Sequence, residues 1–426
     1  MLRIPALGDP HGGIARVRQE YIHAATIIRR LHGRRVGIIG ASSTRFGERH
    51  DANLIELAWE AFREAVREAN VEPGDIGFTV VSNFGGWSSE LLPAVSVSEA
   101  LGLSAGSLRV EAACSSGSAA VKIAHDVISS GQAEVVLALG VEKMKESPNP
   151  SVMELIGRAG NYFWEFENFG LTFPGYYALY ATAYMDRYGA REEDLCEVAV
   201  KNHYYGSMNE RAQFRNRITV EKCMSSQYVA WPLKLYDCSP ITDGAAAAIL
   251  ASEDFIRAHG GEATWIRGMG AATGTSNLSR RADFLGLEAS RRAASEAYAR
   301  AGIDPERAVH VLDVAEVHDC FTIAEVMAYE DLGFAERGHG VDLAREHQTY
   351  RGGLIPVNLD GGLKAKGHPI AATGESMVAE LHHQLLGRVG GERQADIRNG
   401  AALAHNVGGT GHYAYVTILS LGREGE

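Results

Sequence analysis

The chain has 426 residues, 46% hydrophobic and 22% charged, with a formal net charge of −12 at pH 7. Its length allows two or three domains with sizeable cores, and its apolar-to-charged balance excludes a disordered or fibrous chain. The acidity argues against a general nucleic-acid surface, and no apolar run reaches the ~18 residues needed to cross a bilayer.

Residues 1–34 lack the apolar core of a secretory signal, and Asp9 and Glu20 do not suit a transit peptide. Residues 14–31 read as an amphipathic helix ahead of the main fold, a packing arm against another subunit. "VGIIGASSTRFG" then reads as strand and turn, "EAVREANVEP" (64–73) as a helix end, and "DIGFTVVSNFGG" as a second strand. The stretch "VEAACSSGSAAVKIAHDVISSG" (110–131) carries Cys114 where an extended run becomes a helix. A thiol at that position faces unpaired backbone N–H groups and the positive end of the helix dipole, which favour thiolate. A buried structural cysteine has the same signature, because free cysteine is among the most buried residue types. "AEVVLALGVEKM" follows as a buried strand.

Residues 144–230 differ in texture. "NYFWEFENFGLTFPGYYALYATAYMDRYG" is dense in aromatics, including Tyr162, Phe163, Trp164 and Phe166, and reads as a cap over a site or as a small core of its own. Beyond it the pattern starts again. "EAYARAGIDP" (296–305) repeats "EAVREANVEP", with "WIRGMGAATGT" before it and the strand-like "AVHVLDVAEVHDC" after it. Strands alternating with helices in two similar halves indicate an α/β fold. The boundaries read as an extension at 1–34, a first half at 35–143 plus 231–255, a cap at 144–230 and a second half at 256–426.

The second half offers partners for a nucleophile. "EVHDCF" places His318 and Cys320 just past an apolar strand. "KAKGHPIAATG" places His368 in a glycine-flanked loop before a helix, and "LAHNVGGTG" places His405 at a strand end before a glycine pair. Any one of 16 histidines is more readily a core or surface residue; three beside a second cysteine form a candidate acid–base set. Lys364 and Lys366, beside Gly367, suit a phosphate or a solvated face. The five cysteines (Cys114, Cys196, Cys223, Cys238, Cys320) contain no CxxC pair, which signals neither a zinc site nor a disulfide framework and fits a reducing, cytoplasmic compartment.

The Cys114 segment, "HDCF", "GHP" and "HNVGG" occur in the order seen in the thiolase superfamily. "TFPGYYALYATAYMDRYG", "AQFRNRITVE", "PLKLYDCSPITDGAAAAIL" and "PVNLDGGLKAKGHPIAATGES" resemble the archaeal acetoacetyl-CoA thiolases and the sterol-carrier-protein-type thiolases, over residues 35–420. The resemblance implies two duplicated βαβαβαββ-type halves in five α/β/α/β/α layers with a cap insertion. It also implies reversible CoA-dependent cleavage of a 3-oxoacyl-CoA, or Claisen condensation in reverse. Cys114 would carry the acyl group, His368 would take the thiol proton, and Cys320 would be the second catalytic cysteine. His318 would stand where many thiolases have an asparagine, and His405 where many have a cysteine. The backbone of Val407, Gly408 and Gly409 would offer a second oxyanion site. CoA enters as substrate, with no permanent cofactor and no metal required. The implied partners are acyl-CoA and CoA, a second copy in a homodimer or dimer of dimers, and a small zinc-ribbon/OB-fold acyl-CoA-binding protein. Lipid-transfer-type aldolases and ketoacyl synthases are rival activities on the same fold; Cys114 with Cys320 argues against the first, and Cys320 with "GGLKAKGHP" against the second. A non-catalytic acyl-CoA scaffold is a third alternative.

Overall fold

The computed structural model describes residues 33–422, so the helix expected over 14–31 lies outside the described residues. The first half is built from β1 (Val36–Ser43), α1 (Leu54–Ala69), β2 (Phe78–Ser82), α2 (Pro93–Ala100), β3 (Gly106–Val110), α3 (Ser116–Ser129), β4 (Val135–Lys143) and β5 (Asp243–Ser252). Between β4 and β5 run two longer helices, α4 (Phe173–Tyr188) and α5 (Glu192–Gly206). The second half contains β6 (Thr264–Thr273), α6 (Glu288–Ala301), β7 (Val314–Val317), α7 (Thr322–Asp331), α8 (Thr373–Leu385), β8 (Ala401–Gly408) and β9 (Tyr413–Ser420).

The nine strands form one sheet in the order β3-β2-β4-β5-β1-β6-β9-β8-β7. The halves join where β1 meets β6 antiparallel, Gly37 opposite Trp265 and Ile38 opposite Thr264. Outward from that seam the second half repeats the first, except at its edge. There the counterpart of β3 shrinks to one bridge between Ala315 and Val357. The strand expected across "AVHVLDVAEV" is also shorter: Ala308–Val311 is helical, and extended pairing begins at Val314. Asp313 interrupts the run, its carboxylate accepting the N–H groups of Asn399 and Gly400.

The layers follow from burial. α1 covers one outer face through Leu57, Ala58, Ala61 and Ala65, and α6 covers the other through Ala293, Ala297 and Ala301. α3 and α8 lie in the middle, where each packs on strands of both halves. Strands buried on both faces read as continuous apolar runs, as in the fully buried "DGAAAAILAS" of β5.

One packing device is duplicated. A Cβ on Gly40 of β1 would collide with the backbone of Ala65 and with Ala69 of α1; a Cβ on Gly268 of β6 would collide with the backbone of Ala297 and with Ala301 of α6. Glycine facing alanine lets each helix press onto its strand, and it explains why Ala65/Ala297 and Ala69/Ala301 recur in the repeated segments. Gly268→Val is expected to destabilise the protein by ~3 kcal/mol, read as a lower urea midpoint, since neither backbone can yield without moving the helix.

The structure corrects the cysteine reading. Cys196 on α5 and Cys223 are joined by a disulfide across Cα atoms 5.8 Å apart, leaving Cys114, Cys238 and Cys320 free. Their 27-residue separation gives no local signal; a turn of the chain between β4 and β5 brings them together. Among the described residues no helix is long and apolar enough to cross a membrane.

Candidate active site

Cys114 lies between β3 and α3, two residues ahead of the first helical residue. Ala113 before it takes a left-handed conformation (φ 51°), which a non-glycine residue adopts at a cost of ~1–3 kcal/mol. The surrounding hydrogen bonds hold that bend. Ser115 Oγ donates to the Ala112 carbonyl (2.7 Å), Ser116 Oγ to the Ala113 carbonyl (2.6 Å), and the Ala112 N–H donates to Ser116 Oγ (2.8 Å). The small residues of "CSSGS" are thus used twice, in this knot and in close packing. A Cβ on Gly117 would press into Glu375 and the backbone of α8.

Cys114 is 5% exposed and shares an apolar cluster with Trp87, Met144, Val152 and Ile370. Burial pushes the thiol up to about 12, against the pull of the Gly409 N–H and its own N–H and with the help of the buried Glu142 charge. The expectation of a resting thiolate is therefore corrected. The helix end is one favourable contribution, and desolvation outweighs it. A base is needed at the moment of attack.

Two imidazoles supply the setting. The Cys114 sulfur and one nitrogen each of His318 and His368 all lie within 4.8 Å of one another, and the two rings meet edge to face at 5.2 Å. Their hydrogen bonds assign opposite tautomers. Thr373 Oγ1 donates its one proton to the Pro369 carbonyl (3.1 Å), so it can only accept from His368 Nδ1 at 2.8 Å. His368 then carries its proton on Nδ1 and presents Nε2 as a bare lone pair. Asn406 Nδ2 donates to the Cys114 carbonyl (3.1 Å) and faces His318 Nδ1 (3.1 Å), which must accept. His318 then carries its proton on Nε2. Both Nε2 atoms are buried without a protein partner. The result is one unpartnered acceptor and one unpartnered donor on the two rings that lie beside the sulfur.

Burial holds both rings neutral. It lowers His368 to about 3, and it lowers His318 well below the usual imidazole range, with His368 and His405 adding to the effect. A base that stays unprotonated into acid has a measurable consequence. The rate of Cys114 acylation by an acyl-CoA is expected to stay flat from pH 8 to about pH 5; a fall centred near 6.5 in rapid-quench measurements would contradict this assignment. Cysteine and two imidazoles are also donors suited to a soft divalent ion. With His318 Nδ1 engaged by Asn406 and its proton on Nε2, the set fits acid–base work better than ligation.

The loops are braced together from behind. Asp319 accepts the N–H groups of Leu363 (2.6 Å) and Lys364 (3.1 Å), tying "HDCF" to the loop that carries His368. Gly367 has φ 120°, and a side chain there would press on Thr242, whose Oγ1 accepts the His368 N–H (3.0 Å). Cys320 is 5% exposed, and its carbonyl accepts the Ser239 N–H (2.9 Å). Burial raises the Cys320 thiol well above its ordinary range, and the nearby Cys114 adds to this.

Several residues singled out from sequence do not converge here. His405 faces the other side of β8, where its Nε2 meets Ser290 Oγ of α6 at 2.8 Å. Strand alternation gives the cleft to its neighbour Asn406 instead. Val407 is a core residue of β8, and Gly408 is pressed against Ala112; of the glycine loop, the Gly409 N–H is the group that acts to lower the Cys114 thiol. Lys364 and Lys366 do not face a phosphate. Lys364 is buried between the rings of Phe214 and Tyr236, and burial lowers it to about 8; Lys366 is paired with Asp360 at 2.6 Å. Tyr162, Phe163 and Trp164 are exposed on the turn Tyr162–Glu167, and Phe166 packs beside Gly157. The aromatics that do pack inward are Tyr176, Tyr177, Tyr180 and Tyr184 of α4, all fully buried.

A thiol on a strained bend, an unpartnered imidazole acceptor, an unpartnered N–H donor and a second thiol make a set of groups chemically able to accept and pass on an acyl group. The comparisons name the family. The thiolase N-terminal domain matches residues 36–254 and the thiolase C-terminal domain-like family matches residues 270–421. The chain is 40% identical to acetyl-CoA acetyltransferase of Methanothermobacter thermautotrophicus, over 91% of this chain and all of the relative. It is 31% identical to benzoylsuccinyl-CoA thiolase subunit BbsB of Thauera aromatica (88% of this chain, 95% of the relative). It is 30% identical to human sterol carrier protein 2 (91% and 72%). Among solved structures, an Ltp2-ChsH2(DUF35) aldolase superposes with a TM-score of 0.79 at 25% identity, covering 92% of this chain and 99% of that one. The chain belongs to the thiolase family and is an acyltransferase.

Proposed function

We propose that the chain cleaves a short 3-oxoacyl-CoA with CoA, and in reverse condenses two acyl-CoAs, through an acyl group carried on Cys114. The observation that carries this reading is the sulfur held within 4.8 Å of two imidazoles, one whose unpartnered nitrogen is an acceptor and one whose unpartnered nitrogen is a donor. His368 Nε2 takes the Cys114 proton as the sulfur attacks the 3-keto carbon. His318 Nε2–H then donates to a substrate oxygen beside it. The N–H groups of Gly409 and Cys114 face the adduct on the sulfur. Cleavage releases an acetyl-CoA enolate, which Cys320 protonates. The Cys320 thiolate so formed takes the proton of the incoming CoA thiol, and that thiol removes the acyl group. His368 returns the proton to Cys114.

The direct test is acetoacetyl-CoA with CoA, followed by loss of the enolate absorbance, against a panel of longer, branched and aromatic 3-oxoacyl-CoAs. A chain inactive on all of them, with no acyl adduct by mass spectrometry, would defeat the reading. Cys320→Ala is expected to accept an acyl group from acetyl-CoA yet lose α-hydrogen exchange by ~10²-fold or more. Exchange at the wild-type rate would move that role elsewhere.

A second reading adds a partner. The names of two relatives point to assemblies, a subunit in one case and a DUF35 complex in the other. Phe163, Trp164 and Phe169, within the segment read as a cap, stand 58%, 58% and 79% exposed. A small zinc-ribbon/OB-fold protein covering that face would supply part of the acyl-CoA site. Full activity of the chain purified without any other polypeptide would count against it. β3, the edge strand of the first half, offers an unpaired edge to a second copy in a homodimer.

A further inference from the structure

Tyr177 carries no role in the scheme above, yet it is fully buried at its centre. It comes from α4, in the cap, and its ring stacks on Phe321, next to Cys320, at 4.6 Å and 25°. Its hydroxyl donates to the carbonyl oxygen of Gly409 at 3.4 Å, and Tyr177 and the Cys320 thiol each act on the other's ionisation. A phenol brought by a separate helix beside the residue that follows Cys320 is more than packing requires, since phenylalanine would stack equally well. The long contact to Gly409 leaves its proton weakly committed.

We propose that Tyr177 is a catalytic residue whose hydroxyl donates a hydrogen bond to the Cys320 thiolate that exists between the two half-reactions. The proposal rests on the acyl-cysteine reading and deepens it. When the enolate takes the Cys320 proton, an S–H bond breaks, a C–H bond forms and the charge moves to the buried sulfur. Among the described residues no lysine or arginine is a leading influence on that sulfur. The ionisable groups acting most strongly on Cys320 and Tyr177 include Cys114, Asp319 and, on the Tyr177 side, Arg281, and His318 and His368 lie beside Cys114. The Tyr177 O–H rotates from Gly409 to the thiolate without losing its proton. It releases the thiolate when the CoA thiol supplies a new one. A charge-assisted hydrogen bond of this kind shortens the life of no intermediate; it makes the thiolate accessible near neutral pH.

The test is washout of deuterium from trideuterated acetyl-CoA, followed across pH. Tyr177→Phe keeps the ring stack and is expected to slow exchange by about 10- to 100-fold at pH 7.5 and to move its pH profile up by about one unit. 3,5-Difluorotyrosine at position 177, a stronger donor of the same shape, should move the profile down. Tyr180→Phe, whose hydroxyl bonds the Thr410 carbonyl instead (2.9 Å), should leave the profile in place. A merely structural tyrosine would lower the thermal midpoint without these opposed shifts. Profiles unmoved in both Tyr177 variants, with exchange intact in the wild type, would overturn the tyrosine assignment alone. Absence of exchange in the wild type, together with no acyl adduct, would instead defeat the acyl-cysteine reading on which it rests. Should Tyr177→Phe not fold, the fluorinated protein still decides the matter.

Discussion

Cys114→Ala should abolish turnover, with kcat/KM down by ~10⁴-fold or more, and should remove the acyl adduct from the protein's mass spectrum. The size follows from the chemistry. Without a sulfur at the bend no covalent intermediate divides the reaction, and the remaining groups only bind and polarise a bound thioester. The substitution is sterically small within the cluster of Trp87, Met144, Val152 and Ile370, so the thermal midpoint should barely move. An adduct that persisted on Cys238 or Cys320 would reassign the nucleophile.

His368→Ala is expected to slow Cys114 acylation by about 10²- to 10⁴-fold, because burial keeps the thiol protonated and no other acceptor lies beside it. A companion variant separates the base from its orientation. Thr373→Val leaves the ring in place but removes the acceptor that holds its proton on Nδ1. The ring is then free to place the proton on Nε2, where it cannot act as a base. Thr373→Val should therefore lower kcat by about tenfold with little change in KM, and Thr373→Ser should restore it. A His368→Ala enzyme with acylation within a factor of ten of wild type would transfer the base role to His318, contrary to the hydrogen bonds around Asn406.

Much of this site can be read from local chemistry. "AACSSGS" announces a crowded turn into a helix, "GHP" a histidine on a glycine loop, and "HDCF" a histidine and a thiol just past a strand. Each is a local statement about residue type and backbone freedom, and the structure brings Cys114, His318 and His368 together from these three places. His405 shows where that reasoning stops. Placing it at a strand end left its direction open; extending β8 through Gly408 makes alternation decisive and gives Asn406 to the cleft. Lys364 and Lys366 show a second limit. Two lysines by a glycine loop suit a phosphate on composition, but Phe214, Tyr236 and Asp360 arrive from elsewhere in the chain and bury them.

By itself, then, the sequence determined the duplicated α/β architecture, because helical and strand periodicities and the repeat of 64–73 at 296–305 are patterns written along the chain. It also offered candidates for nucleophile, base and second thiol, since reactivity belongs to residue type. Only the tertiary structure decided the protonation states, the tautomers and the company each group keeps. A pKa depends on how much water the assembled layers exclude, and a tautomer depends on which distant hydroxyl or amide lies across a 3 Å gap. The thiol of Cys114, held neutral by burial beside two oppositely protonated imidazoles, and Tyr177 of α4 bonding the Gly409 carbonyl, are products of that assembly.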